Sequence, residues 1–130
     1  MRAELKYLFP ALRDDDFDLQ DDGAGPVIKR WTYSQAQPTQ ADIDGARLPA
    51  AKAGRIATIN AECRARLLAR YGPAEEQVSR SIGVYGATEQ SAMQAGIAAT
   101  IDASNTASNA VLAATDIAAV EAVTVTWPVI

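Results

Sequence analysis

GATEQSAMQAGIAATIDASNTASNAVLAATDIA, residues 86–118, decides how the rest of the chain is read. It holds no Lys or Arg and few large side chains, and is mostly Ala, Ser, Thr and Asn. Such a stretch has no side chains from which to build an active site. It can form a long, thin helix whose backbone approaches another helix closely. Thr88 is the expected cap, with Ser91 as a later start, and a helix running to Thr115 would be about 45 Å long. A seven-residue frame places Met93, Thr100, Ala107 and Ala114 on one line and Ile97, Ser104, Val111 and Ala118 between them. Met93, Ile97, Thr100, Ser104 and Val111 are therefore the candidate interaction seam, with polar Thr100 and Ser104 fixing register at some cost in stability. Asn105 and Asn109 stand four apart on the flank, placed to hydrogen-bond between helices. Alone, this helix buries too little to hold. It packs against another helix of the chain as a helical hairpin, or against copies of itself in a bundle.

After it, Asp116 caps a last helical turn over Ile117 to Ala122. Val123-Thr-Val-Thr-Trp127 alternates cleanly and reads as a strand. Before it, Gly83 and Gly86 loosen the chain around Val84-Tyr85, and Pro73, Glu75 and Glu76 open a short helix to about Ile82. Gly72-Pro73 stops a mostly helical segment, Gln40 to Tyr71. Thr39 and Asp42 mark its start, and Pro49 predicts a break into a short helix to Leu48 and a longer one after it. In the longer one Ala53, Ile56, Ile59/Asn60, Cys63, Leu67 and Tyr71 form an apolar stripe flanked by Lys52, Arg55, Glu62, Arg66 and Arg70. Ser34 to Pro38 is a connector.

At the start of the chain, Leu5, Leu8 and Phe9 share one side of a short helix that Pro10 ends. Phe17 and Leu19 alternate with Asp16, Asp18 and Gln20, then Asp22-Gly23 and Gly25-Pro26 supply turn chemistry before Val27 to Tyr33. The result is a β-hairpin. A two-stranded hairpin is marginal alone in water, so a helix or a third strand must cover it. The closing strand at 123–127 is the expected third, with Trp31 and Trp127 as candidate sheet anchors.

The bulk composition agrees with borrowed stability. In 130 residues the hydrophobic fraction is 48%, but much of it is Ala, beside two Trp, four Tyr and two Phe. Apolar burial stabilises by roughly 25 cal/mol per Å², and Ala buries little. The core of one copy is thin, which points to self-association or a partner. Net charge is −4 with no His, against nucleic acid as the main partner. All basic groups lie in residues 1–80, while residues 81–130 carry only Glu89, Asp102, Asp116 and Glu121. MRAELKYLFP is too charged for a signal peptide, and no apolar run approaches the roughly 20 residues of a membrane span.

Candidate chemistry is sparse. Asp14, Asp15, Asp16, Asp18, Asp21 and Asp22 could suggest a calcium loop, but an EF-hand needs a Gly six places into a loop ending in Glu. Solvated turn and edge-strand residues explain the run better, and acids on an edge oppose sheet aggregation. Cys63 lies on the apolar stripe and has no His to activate it, so it reads as an inert core residue. The absence of His also removes Ser-His-Asp chemistry and the usual Cys/His zinc sites. Gly83, Gly86 and Gly96 lack the spacing and following Lys of a phosphate loop. Arg55, Arg66 and Arg70 have no interleaved aromatics and read as a solvated or salt-bridged flank.

LKYLFP at 5–10, FDLQDDGAGPVIKRW at 17–31, QPTQADI at 37–43, AKAGRIATINAECRARL at 51–67 and AATDIAAVEAVTVTWP at 113–128 carry a resemblance. In this order they resemble the small tail proteins encoded near the tail-fibre genes of tailed bacteriophages, including tail-fibre assembly proteins. That group has a small N-terminal β element, then Pro-Thr and an Ala-rich helix beginning near a Lys. The stretch 84–115 departs from the group in being poorer in charge. The resemblance implies a virion tail component or an assembly chaperone, and brings no catalytic residue with it.

The sequence thus predicts an α+β chain: a small antiparallel sheet with two major helices. Residues 1–36 are a β-containing head, 37–72 the connector and middle helix, and 73–130 the Ala-rich helix and closing strand, together one structural unit. The expected function is a non-enzymatic tail protein of a bacteriophage, made in the host cytoplasm and placed in the virion. It would act as an adaptor at the fibre or baseplate through helix packing and self-association, with the trimer as the favoured state. The alternative is a chaperone that binds the fibre transiently. The expected partners are other tail proteins and copies of the chain, with no cofactor, metal, nucleic acid or membrane.

Overall fold

A computed structural model describes residues 1–130 and shows an α+β chain of five helices and one two-stranded antiparallel sheet. Its order is α1 (Arg2–Leu8), β1 (Phe17–Asp21), β2 (Pro26–Trp31), α2 (Gln40–Tyr71), α3 (Ala74–Ser81), α4 (Ala87–Ala113) and α5 (Ile117–Ala122). The chain divides into two compact units, Met1–Ala51 and Lys52–Ile130, and the division falls inside α2.

The first unit is built around the hairpin. Phe17 pairs with Trp31 and Asp21 with Pro26, with an irregularity between Asp18 and Leu19 that shifts the register. The Asp21 carboxylate accepts hydrogen bonds from the amides of Gly23 (2.9 Å) and Gly25 (3.1 Å), closing the loop by the Asx chemistry its sequence announces. Arg30 Nε donates to Asp18 at 2.6 Å across the strands, and this guanidinium holds the Asp18 carboxyl below its usual range. A helix supplies what two strands lack. Leu5 from α1, Leu12, Phe17 and Ile43 from α2 are buried together, with Phe9, Leu19, Ile28, Trp31 and Tyr33 packed around them. Trp31 is an anchor of this cluster. Its ring meets Phe9 edge-on at 5.5 Å between centroids, and its indole N–H donates to Gln35 O at 2.8 Å.

The start of α2 follows its sequence closely. The Asp42 amide donates to Thr39 Oγ1 (3.2 Å), while the Thr39 amide returns a bond to Asp42 Oδ2 (2.8 Å). This is a reciprocal cap. The Thr39 hydroxyl, and then its amide, hold the Asp42 carboxyl below its ordinary value.

Pro49 does not break α2, which runs without interruption through it. A proline inside a helix removes one hydrogen bond and crowds the carbonyl four residues back, at a cost of about 3 kcal/mol. Here that residue is Gly45, and the space where its side chain would project is open. Burial on both sides of the proline offsets the cost: Ile43, Ala46 and Ala50 in the first unit, Ile59, Cys63 and Tyr71 in the second.

In the second unit two long helical segments pack together, the part of α2 from Lys52 onward and α4. Gly72, at φ 78°, ends α2 in the left-handed region that glycine favours, its amide donating to Leu68 O at 2.9 Å. Gly86, not Thr88, occupies the N-cap of α4, and no side chain caps it. Asp116 does cap α5, its carboxylate accepting from the Ala119 amide at 2.7 Å. The segment after α5 is not a strand of the sheet. Residues 123–130 form no ladder, and the sheet consists of β1 and β2 alone. Trp127 is accordingly no sheet anchor; it lies in the second unit, with the Arg66 guanidinium 4.9 Å over its ring.

Candidate interaction surfaces

The buried line of α4 is Met93, Gly96, Thr100, Ser104, Ala107 and Val111. Four of the five seam candidates are on it: Met93, Thr100, Ser104 and Val111. Ile97 is only half-buried, and Ala118 lies exposed beyond the end of the helix. These side chains are occupied inside the chain. Ser104 Oγ reaches Asn60 Oδ1 on α2 at 3.3 Å, and the Cys63 thiol points at Thr100 O at 3.9 Å. Thr100 does not bridge helices, since its hydroxyl donates to Gly96 O one turn back at 2.8 Å. Asn105 and Asn109 are exposed, and the amide that meets α4 belongs to Asn60. The alternative left open by the sequence is thus decided for this face: it packs within the chain.

Gly96 makes the packing close. A methyl group there would overlap the Tyr71 hydroxyl and stand 3.1 Å from its Cζ, on a rigid ring that is itself buried. Gly96→Ala gains up to about 1 kcal/mol in helix propensity, but overpacking of this kind typically costs about 1–3 kcal/mol. A net loss of stability is expected, measured as a lower urea midpoint, and a Tyr71→Phe background should relieve part of it.

Two cations on α2 do work that sequence reasoning missed. Lys52 Nζ donates to Leu112 O at 2.7 Å, in the last turn of α4, which carries no basic residue of its own. A cation there satisfies a free carbonyl and opposes the helix dipole. Arg55 donates to Val123 O at 2.7 Å and pins the exit of α5. The signal in sequence was only that a helix end lacked a cation while the neighbouring helix carried several.

Three surfaces remain open in the second unit. A hollow of about 340 Å³ lies between α2, α3 and α4, lined by Cys63, Leu67, Leu68, Gln77, Ile101 and Asn105 among others. Val78, Ile82, Val84 and Tyr85, on α3 and the turn after it, form an exposed apolar knob beside the Arg80–Glu89 ion pair. The third is a hollow of about 490 Å³ bordered by Arg66, Ala69 and Arg70 and by Trp127 to Ile130.

None of these surfaces groups a nucleophile with a base. Cys63, the one free cysteine, is buried. No helix is long and apolar enough to cross a membrane.

Residues 1–55 match the family model described as XkdW protein, a family associated with bacteriophages. The match spans the whole of the first unit and ends just inside the second. It supports a phage-related protein. No match was found among curated proteins or among solved structures.

Proposed function

We propose that the chain is a non-enzymatic structural part of a bacteriophage tail, an adaptor at the fibre or baseplate that works through packed helices and contacts between copies. The observation that carries this reading is the match of residues 1–55 to a phage-associated family, on the unit that folds around the hairpin. The second unit adds support of a different kind. Its polar residues serve caps and helix contacts, as Lys52, Arg55, Asn60 and Ser104 do, while its apolar knob stands in solvent. That is the distribution of a protein whose business is contact. Mass spectrometry on purified particles of the parent phage tests it by counting copies of the chain. A fixed stoichiometric presence is expected, and absence from the particle overturns the reading. An absent chain that raises the yield of soluble fibre on co-expression would instead be a chaperone.

A further inference from the structure

Val123–Trp127 is strand-like in sequence, and it lies outside every helix with no strand beside it. Val123, Val125 and Trp127 are half-buried while Thr124 and Thr126 are exposed, an alternation with the period of an extended chain. Beyond the bond from Arg55 to Val123 O and the turn bond from the Val123 amide, no backbone hydrogen bond is made along 124–130. A row of unpaired amides and carbonyls on an apolar, β-branched segment is a template for strand addition. Proteins commonly protect such an edge with charge, and residues 122–130 carry none.

The order of residues selects the partner. V-T-V-T-W reads nearly the same in both directions about Val125. Paired antiparallel with an identical segment, it sets Val125 opposite Val125, Thr124 opposite Thr126, and Val123 opposite Trp127. Every apolar side chain then faces an apolar one, and every Thr a Thr. Both combinations, aromatic with β-branched and Thr with Thr, are favourable cross-strand pairs. A one-residue slip would set each Thr opposite Val or Trp. Pro128 cannot donate and ends the pairing. We infer that residues 123–127 form a two-stranded antiparallel sheet with the same segment of a second copy, joining two chains about a two-fold axis through Val125. The contact is isologous and closes at two copies.

The inference names the self-contact that the proposed function uses, and rests on that reading only for its purpose in a tail. Its test uses the purified full chain, so it can fail while the particle count stands, or stand while that count fails. Light scattering should give twice the 13.8 kDa of one chain. The exposed Thr pair then tests register without touching the packed face. Thr124→Lys with Thr126→Lys in one chain puts like charges opposite each other twice across the axis and should weaken the dimer. Thr124→Lys with Thr126→Glu puts Lys opposite Glu twice and should restore it, with at least about a tenfold difference in dissociation constant between the two variants. A wild-type chain that stays monomeric overturns the pairing. So does a dimer on which the two double variants act alike.

Discussion

Replacing Phe17 by alanine is expected to unfold the first unit while leaving the second folded. Phe17 is 1% exposed and stands at the meeting of α1, the hairpin and the first turn of α2. Its ring lies 6.5 Å from that of Trp31, and the Arg2 guanidinium sits 5.1 Å above it. Removing a buried Phe costs about 3–5 kcal/mol. Only four side chains are buried in this cluster, so the loss is a large share of what holds a two-stranded sheet in place. The chain's two tryptophans fall one to each unit, which lets the effect be located. In a Trp127→Phe background, Trp31 fluorescence should show the first unit unfolded or melting at much lower temperature. In a Trp31→Phe background, Trp127 should report a second unit close to wild type. A single loss seen equally by both would mean that the two units melt as one.

The first unit was largely legible in sequence because its signals are local. Asp22-Gly23 and Gly25-Pro26 fix the hairpin loop, Thr39 and Asp42 fix the start of α2, and alternation assigns Phe17 and Leu19 a face. What covers the hairpin was half legible. A third element was required, and the structure uses α1 and the Ile43 face of α2 in place of the strand expected from residues 123–127.

That misplaced strand shows what periodicity measures. Alternation of Val and Thr reports an extended chain with one buried face, and residues 123–127 have that face. It does not report a hydrogen-bond ladder, and here the covering layer is helical. Pro49 errs in the opposite sense: a local rule with a cost of about 3 kcal/mol gave way to burial on both sides of it. The frame on α4 differs from the structure on its first turn. At about 100° per residue Gly96 and Ile97 stand on opposite sides of the line from Met93 to Val111. The buried face takes in Gly96 and leaves Ile97 at its margin. Tyr71, distant in sequence, is what Gly96 accommodates, and no local pattern could announce that.

The same geometry sets the expected contrast between Val111→Asp and Ile97→Asp. Val111 is fully buried in the packing of α4. A carboxylate there loses the apolar contacts and must either ionise or take up a proton in an apolar site. The cost should be about 4 kcal/mol or more, in the class of buried unpaired charge. Ile97 is half-buried, so an aspartate at that position can turn its carboxylate to water, and about 1–2 kcal/mol is expected. Urea unfolding followed by Trp127 fluorescence and by helical circular dichroism measures both. Because the native site disfavours ionisation, the folded-state carboxyl of Val111→Asp should titrate above its unfolded value. Its penalty should therefore shrink as pH falls through that range, while Ile97→Asp should show little such dependence. Equal losses at the two positions would mean that the helix presents the face of the seven-residue frame, and with it the seam as first drawn from the sequence.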